Sequence, residues 1–189
     1  DVEAARQAPG VHLVVTVEDL LAAEVDITMT GVVMENRDGS KGAAPTRPWL
    51  AHKRVRHVGE PVALIVADSL QAAQDAAELI EFDYTELPAH LDICAGGEAL
   101  HPEAPDNRAF DFGMGREAET AAAIDSAAKV VRLEVGDNRV IVNAMEPRGA
   151  YAEWDGGRLH VAFNGQGVWG LKGDMARVFG LDEANVRVT

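Results

Sequence analysis

The run Pro61-Val62-Ala63-Leu64-Ile65-Val66-Ala67 constrains the fold of this chain more than any other stretch. It is apolar, and far short of the about 20 residues a membrane span needs. Bounded by Pro61 and Asp68, it predicts a buried strand. Asp68-Ser69 then offers a helix cap, with Gln71 in the capping-box position relative to Asp68. Leu70, Ala73, Ala77 and Ile80 follow at helical spacing, which puts Gln71, Gln74, Asp75 and Glu78 toward water. Ile80-Glu81-Phe82-Asp83-Tyr84-Thr85 alternates apolar and polar residues, the pattern of a half-buried strand. Residues 61–85 therefore predict a β-α-β unit, and a direct crossover would make its strands parallel.

The remaining chain reads as shorter pieces around this unit. Asp1 to Ala8 has helical character closed by Pro9-Gly10, and Val11 to Val17 is a β-branched strand. Thr16 and Asp19 predict a capped helix through Ala23. Residues 25–50 read as loop with one short strand at Gly31–Met34. The Pro and Gly residues crowded into 86–116 mark a connection between domains. Ala118 to Ala128 predicts a helix. Val130 to Val135, Val140 to Asn143, Gly149 to Trp154 and Arg158 to Phe163 predict strands, with a hairpin turn at Asp155-Gly156-Gly157. Gly167 to Phe179 predicts a helix ended by Gly180, followed by a strand from Asn185. The fold class is α+β.

Charge and cysteine content exclude several function classes. A formal net charge of −14 argues against nucleic acid, because phosphate contacts need clustered Lys and Arg. It equally disfavours an anionic membrane surface. The single cysteine, Cys94, permits no intrachain disulfide and reads as a small apolar filler rather than a nucleophile. The expected location is cytoplasmic, with no membrane span and no secretory signal pattern at the N-terminus. His52 and His57 lie among Lys53, Arg54 and Arg56 without partners at ligand spacing, so no metal site is assigned.

Site-like composition is confined to two segments. Met145-Glu146-Pro147-Arg148 puts a Glu and an Arg, read as buried or half-buried, beside a strand. Asn164-Gly165-Gln166-Gly167 puts a glutamine on a turn flanked by glycines. Glycine permits positive φ and close backbone approach, and the Gln166 amide can donate and accept hydrogen bonds.

These segments and several others resemble one family in order along nearly the whole chain. Pro9 to Leu20, Val55-Arg56-His57-Val58-Gly59-Glu60-Pro61-Val62-Ala63, and Ala72 to Pro88 resemble an a/b hammerhead domain. Asn138 to Ala150, Asn164 to Gly167 and Leu171 to Leu181 resemble the opening of a molybdopterin-binding domain. The family is the large, molybdenum-cofactor-binding subunit of xanthine dehydrogenase, aldehyde oxidase and aerobic carbon monoxide dehydrogenase enzymes. The resemblance implies a hammerhead over 1–100, a linker and short helix over 101–128, and the start of the cofactor domain over 129–189.

It also implies roles. Gln166 would hydrogen-bond an oxygen ligand of molybdenum, with Gly165 and Gly167 beside it at the cofactor. Glu146 and Arg148 would lie near the site, as catalytic parts or as a structural ion pair. The parent enzyme would oxidise or hydroxylate an aldehyde, an N-heterocycle, a purine or carbon monoxide with water-derived oxygen. It would pass electrons to iron–sulfur clusters and a flavin (FAD) on partner subunits or domains. An iron–sulfur cluster takes four Cys ligands, which one cysteine cannot supply. The resemblance further implies that the chain is a piece of a longer subunit, with hammerhead strands before Asp1 and the general base beyond Thr189. On that footing the chain alone would be inactive. A second class of reading is a non-catalytic scaffold or interaction protein that keeps the hammerhead. A third is an unrelated small-molecule-binding α/β domain built on the β-α-β unit; the turn after its first strand has no Gly-rich phosphate loop, which argues against a nucleotide as its ligand.

Overall fold

Small side chains let a helix and a strand approach closely. The first half of the chain does this with alanine. The computed structural model describes residues 1–29, 31–91, 93–137 and 145–189. Helix α1 (Glu3–Arg6), strand β1 (Val11–Val15), helix α2 (Val17–Ala22), strand β2 (Leu64–Ala67) and helix α3 (Leu70–Ala77) form one layered unit. Ala5 of α1 and Ala76 of α3 are fully buried against Val14 of β1, with Val2, Val11, Ile65 and Ile80 packed around them. β1 and β2 pair antiparallel, with an irregularity between Val11 and Leu13. The Thr16 box forms as expected: the Asp19 amide donates to Thr16 Oγ1, and the Thr16 amide donates to Asp19 Oδ2 at 2.7 Å.

Five expectations for this half are corrected. β2 is not buried, since Leu64 and Val66 are 57% and 44% exposed. Residues 80–85 do not form a second strand, so no parallel β-α-β unit arises here. Their alternation is real, and Phe82 and Tyr84 put their rings 5.7 Å apart. A strand, however, needs a neighbour, and among the described residues the only ladder-like contact is Glu81 exchanging hydrogen bonds with Asp1. The α3 cap is Ser69, whose hydroxyl accepts from the Ala72 amide. Asp68 instead meets His12 at 2.6 Å, and Gln71 donates to Asp75. The packed face of α3 accordingly runs through Ala72, Ala73, Ala76 and Ile80, leaving Leu70 and Ala77 exposed. No strand forms at Gly31–Met34 either. That region keeps only isolated bridges, Thr28 with Pro48 and Glu35 with Lys41.

Residues 86–116 carry no helix or strand among those described. Helix α4 (Glu117–Asp125) follows. Val130–Val135 is not a strand, because nothing described pairs with it and Val131, Leu133 and Val135 stand exposed. The strand expected at 140–143 lies outside the described residues. Strands β3 (Ala150–Asp155) and β4 (Arg158–Phe163) form the expected hairpin, closed by Gly156 and Gly157 at φ of 54° and 83°. Two positive-φ central residues make the primed turn that suits strand twist.

Helix α5 (Trp169–Phe179) then carries the chain over to strand β5 (Val186–Val188), which lies parallel to β4. The chain's crossover unit is therefore β4-α5-β5, with Val161, Ala176, Val178 and Val186 buried. Gly180 at φ 62° ends α5, and the Leu181 amide donates to the Ala176 carbonyl. This is the left-handed glycine stop the sequence predicts. The far end of α5 touches the first half: Arg177 ion-pairs with Asp26 and donates to the Thr28 carbonyl, while the Asp26 amide donates to the Val178 carbonyl at 3.2 Å.

Candidate functional site

Gln166 sits on the connection between β4 and α5, beyond the end of the sheet's central strand. Strand β4 delivers the chain to Asn164, and α5 begins at Trp169. Gln166 is exposed, so its amide is open to a ligand. The two glycines beside it do different work. Gly167 adopts φ 99°, a conformation that side-chain-bearing residues rarely hold. Gly165 has no positive φ; a Cβ there would lie 2.0 Å from the Phe163 ring, so only glycine lets that ring fold over the loop. The sequence reading thus finds both properties of glycine, one at each position.

The structure brings the second segment beside the first. Ala150 pairs with Phe163 at the end of the hairpin ladder. One step further, Gly149 donates its amide to Asn164 Oδ1 at 2.6 Å. Asn164 Nδ2 in turn donates to the Pro147 carbonyl. Glu146-Pro147-Arg148 and Gly165-Gln166 therefore leave the sheet together. Asn164 is the residue joining the two segments, and the sequence reading gives it no role of its own. Its signal was present, because a short amide side chain at a strand end readily bonds nearby backbone.

Glu146 and Arg148 are corrected from buried or half-buried to exposed. They precede β3, whose residues are all exposed, so no packing layer covers them. Neither forms an ion pair among the described residues.

The electrostatics around the loop favour donors. Residues 164–168 carry no acidic side chain, and α5 starts at Val168 without a side-chain cap. The first-turn amides of an uncapped helix carry partial positive charge. At the other end of α5, the Asp26 carboxyl is held below its ordinary range, first by the Thr28 amide and then by Arg177.

Other expected features sit away from this loop in sequence. Cys94 is exposed and so is no apolar filler; its carbonyl lies 3.0 Å from His90 Nε2. Arg54 and Arg56 donate to the carbonyls of Ala99 and Leu100. A cleft of about 1060 Å³ runs between residues 80–89 and the loop 51–58. Among the described residues no group of three or more His, Cys, Asp or Glu could hold a metal ion. None of the described helices is long and apolar enough to cross a membrane.

Comparison with known proteins gives two matches that leave only 89–99 between them. Residues 1–88 match the a/b hammerhead domain of aldehyde oxidase and xanthine dehydrogenase. Residues 100–189 match a molybdopterin cofactor-binding domain. The chain is 34% identical to the nicotine 6-hydroxylase large subunit of Paenarthrobacter nicotinovorans, over 100% of this chain and 23% of that protein. It is 28% identical to the carbon monoxide dehydrogenase large chain of Hydrogenophaga pseudoflava, over 98% of this chain and 24% of that one. Its structure resembles quinoline 2-oxidoreductase from Pseudomonas putida 86, with a TM-score of 0.76 at 29% identity, covering 100% of this chain and 24% of that one. The chain thus spans about a quarter of the length of the relatives it matches.

Proposed function

The chain belongs to the aldehyde oxidase and xanthine dehydrogenase family, and from that premise we propose that it is part of the large subunit of a molybdenum hydroxylase. The observation that carries this is the ordered match of both domains, with the Gln166 loop inside the second. Within that frame residues 1–100 are the hammerhead, 101–128 a linker with α4, and 129–189 the beginning of the cofactor domain. The cofactor-domain match runs over 100–189, so the whole of 101–128 falls within it.

The residues present fit a molybdopterin-bound molybdenum. Such a group presents oxygens that need hydrogen-bond donors, and this loop offers an exposed amide, an uncapped helix start and no carboxylate. When bound, the group supplies the two-electron redox chemistry of the enzyme. Gln166 would donate its side-chain amide to an oxygen of the group, through a neutral side chain that does not compete as a strong ligand. Gly165 and Gly167 let the backbone come close. Glu146 and Arg148, held beside the loop by the Asn164 bonds to Gly149 and Pro147, are assigned to act on substrate or cofactor.

An N-heterocycle is the favoured substrate class. The support is that nicotine and quinoline appear in the names of the 34% and 29% identical relatives. An aldehyde or carbon monoxide is the alternative. Electrons leave to iron–sulfur and flavin partners, and the enzyme works in the cytoplasm. The scaffold reading has no such support, since the relatives are named as enzyme subunits.

The test is to produce the full-length subunit with its partners and follow dye reduction with quinoline, benzaldehyde and carbon monoxide. Gln166→Ala should lower kcat/KM about 10- to 100-fold, the range for losing a hydrogen bond to a charged group. Molybdenum content should stay unchanged. Full activity in the variant would remove Gln166 from the site.

A further inference from the structure

We propose that Asn164 is a positioning residue for Gln166, acting by clamping the Pro147–Gly149 segment to the glutamine loop. The proposal rests on the reading of Gln166 given above. Its basis is the way the hairpin ladder ends. The Asn164 amide still donates to the Gly149 carbonyl, at 3.4 Å. In a continuing antiparallel ladder the Gly149 amide would return a bond to the Asn164 carbonyl. It goes instead to Asn164 Oδ1, at 2.6 Å. The side chain has taken the place of its own backbone acceptor. The strands can then part without leaving the Gly149 amide unsatisfied.

The other half of the same amide group donates to the Pro147 carbonyl. Pro147 has no amide hydrogen, so its carbonyl is the one backbone group it offers to a partner strand. One planar side chain therefore closes both sides of the fork, as donor and as acceptor. Asn164 is only half-buried, yet it lies two residues before Gln166. The Phe163 ring folded over Gly165 fills the space on the remaining side. Between these two restraints the backbone leading to Gln166 has little freedom. Serine or threonine at 164 has one short hydroxyl and could not span both partners. Aspartate has the right shape but would set a carboxylate oxygen against the Pro147 carbonyl.

The test combines a cofactor-independent readout with a kinetic one on the full-length subunit. In metal-free protein, Asn164→Ala should speed hydrogen exchange of the Gly149 amide about tenfold or more. In the loaded enzyme, Asn164→Ala and the isosteric Asn164→Asp should each lower kcat per bound molybdenum about tenfold, the order of one neutral hydrogen bond. Neither should cost anything further when Gln166 is already alanine. Unchanged exchange at Gly149 would show that the clamp does not hold. Additive losses in the double variants would show that Asn164 does not act through Gln166, while leaving the role of Gln166 intact. A silent Gln166→Ala would remove both the glutamine reading and the positioning role, with the exchange result still reporting the clamp. Loss of molybdenum in both Asn164 variants would assign the residue to folding and overturn the proposal.

Discussion

Single residues carry the candidate site because each meets a demand that few other side chains can. Gly167 is the clearest case. Its φ of 99° lies where a Cβ brings strain, so Gly167→Ala should cost about 1–3 kcal/mol in unfolding of the full-length subunit. The same change should also lower activity, because the strained residue follows Gln166 directly. An unchanged melting temperature would contradict the assigned backbone conformation. At this scale the sequence was informative about residue type and poor about surroundings. Glycines on both sides of a glutamine announce close approach. They do not announce that the Phe163 ring is what approaches Gly165, since that depends on a rotamer. The sequence reading has Glu146 and Arg148 buried or half-buried beside a strand. The structure leaves both exposed beside a strand that is itself exposed on both faces. Asn164 was visible as a turn residue, but its two partners sit 15 and 17 positions away and have no local signature.

Secondary-structure elements follow the sequence where their determinants are local. The α2 cap is an example, and Thr16→Ala should destabilise the protein by about 1 kcal/mol, measured by chemical unfolding. The Asp19 carboxyl, held below its usual range first by the Thr16 amide, would keep that bond in the same variant and lose only the one from the Thr16 hydroxyl. The Asp155-Gly156-Gly157 turn and the Gly180 stop are equally local, and both form as expected. Elements failed where a distant partner decides. Residues 80–85 and 130–135 have strand composition but no neighbour to pair with among the described residues. The parallel crossover expected in the first half is found in the second, at β4-α5-β5. Hydrophobic alternation specifies a face to be covered, whereas a ladder is specified by two segments at once.

At the scale of the whole molecule, α5 joins the two halves. It leaves the Gln166 loop and ends at Arg177, whose guanidinium pairs with Asp26 in the first half. The pair has a predictable pH signature. Because the fold depresses the Asp26 pKa below 3.8, its stabilising contribution is present above that value. It is lost as pH falls through the lower, folded value. Asp26→Asn should therefore melt below the wild type at pH 7, and the difference should close as the pH is taken below 3.8. A difference that persists unchanged at low pH would mean that the charge does not matter. The sequence reading missed this link, since Asp26 and Arg177 lie 151 residues apart. The order of the two halves, by contrast, was legible from motifs.

The β3–β4 turn offers an experimental handle. Gly156 and Gly157 lie in the open at the tip of a six-residue ladder, and β4 rises about 3.3 Å per residue. The tip thus stands about 20 Å along the strand from Asn164. A spin label or fluorophore attached there would ride on the same strand that ends at the glutamine loop, yet stay clear of anything binding at Gln166. Motion of the loop relative to its supporting sheet could then be followed as a distance, without placing a probe in the site.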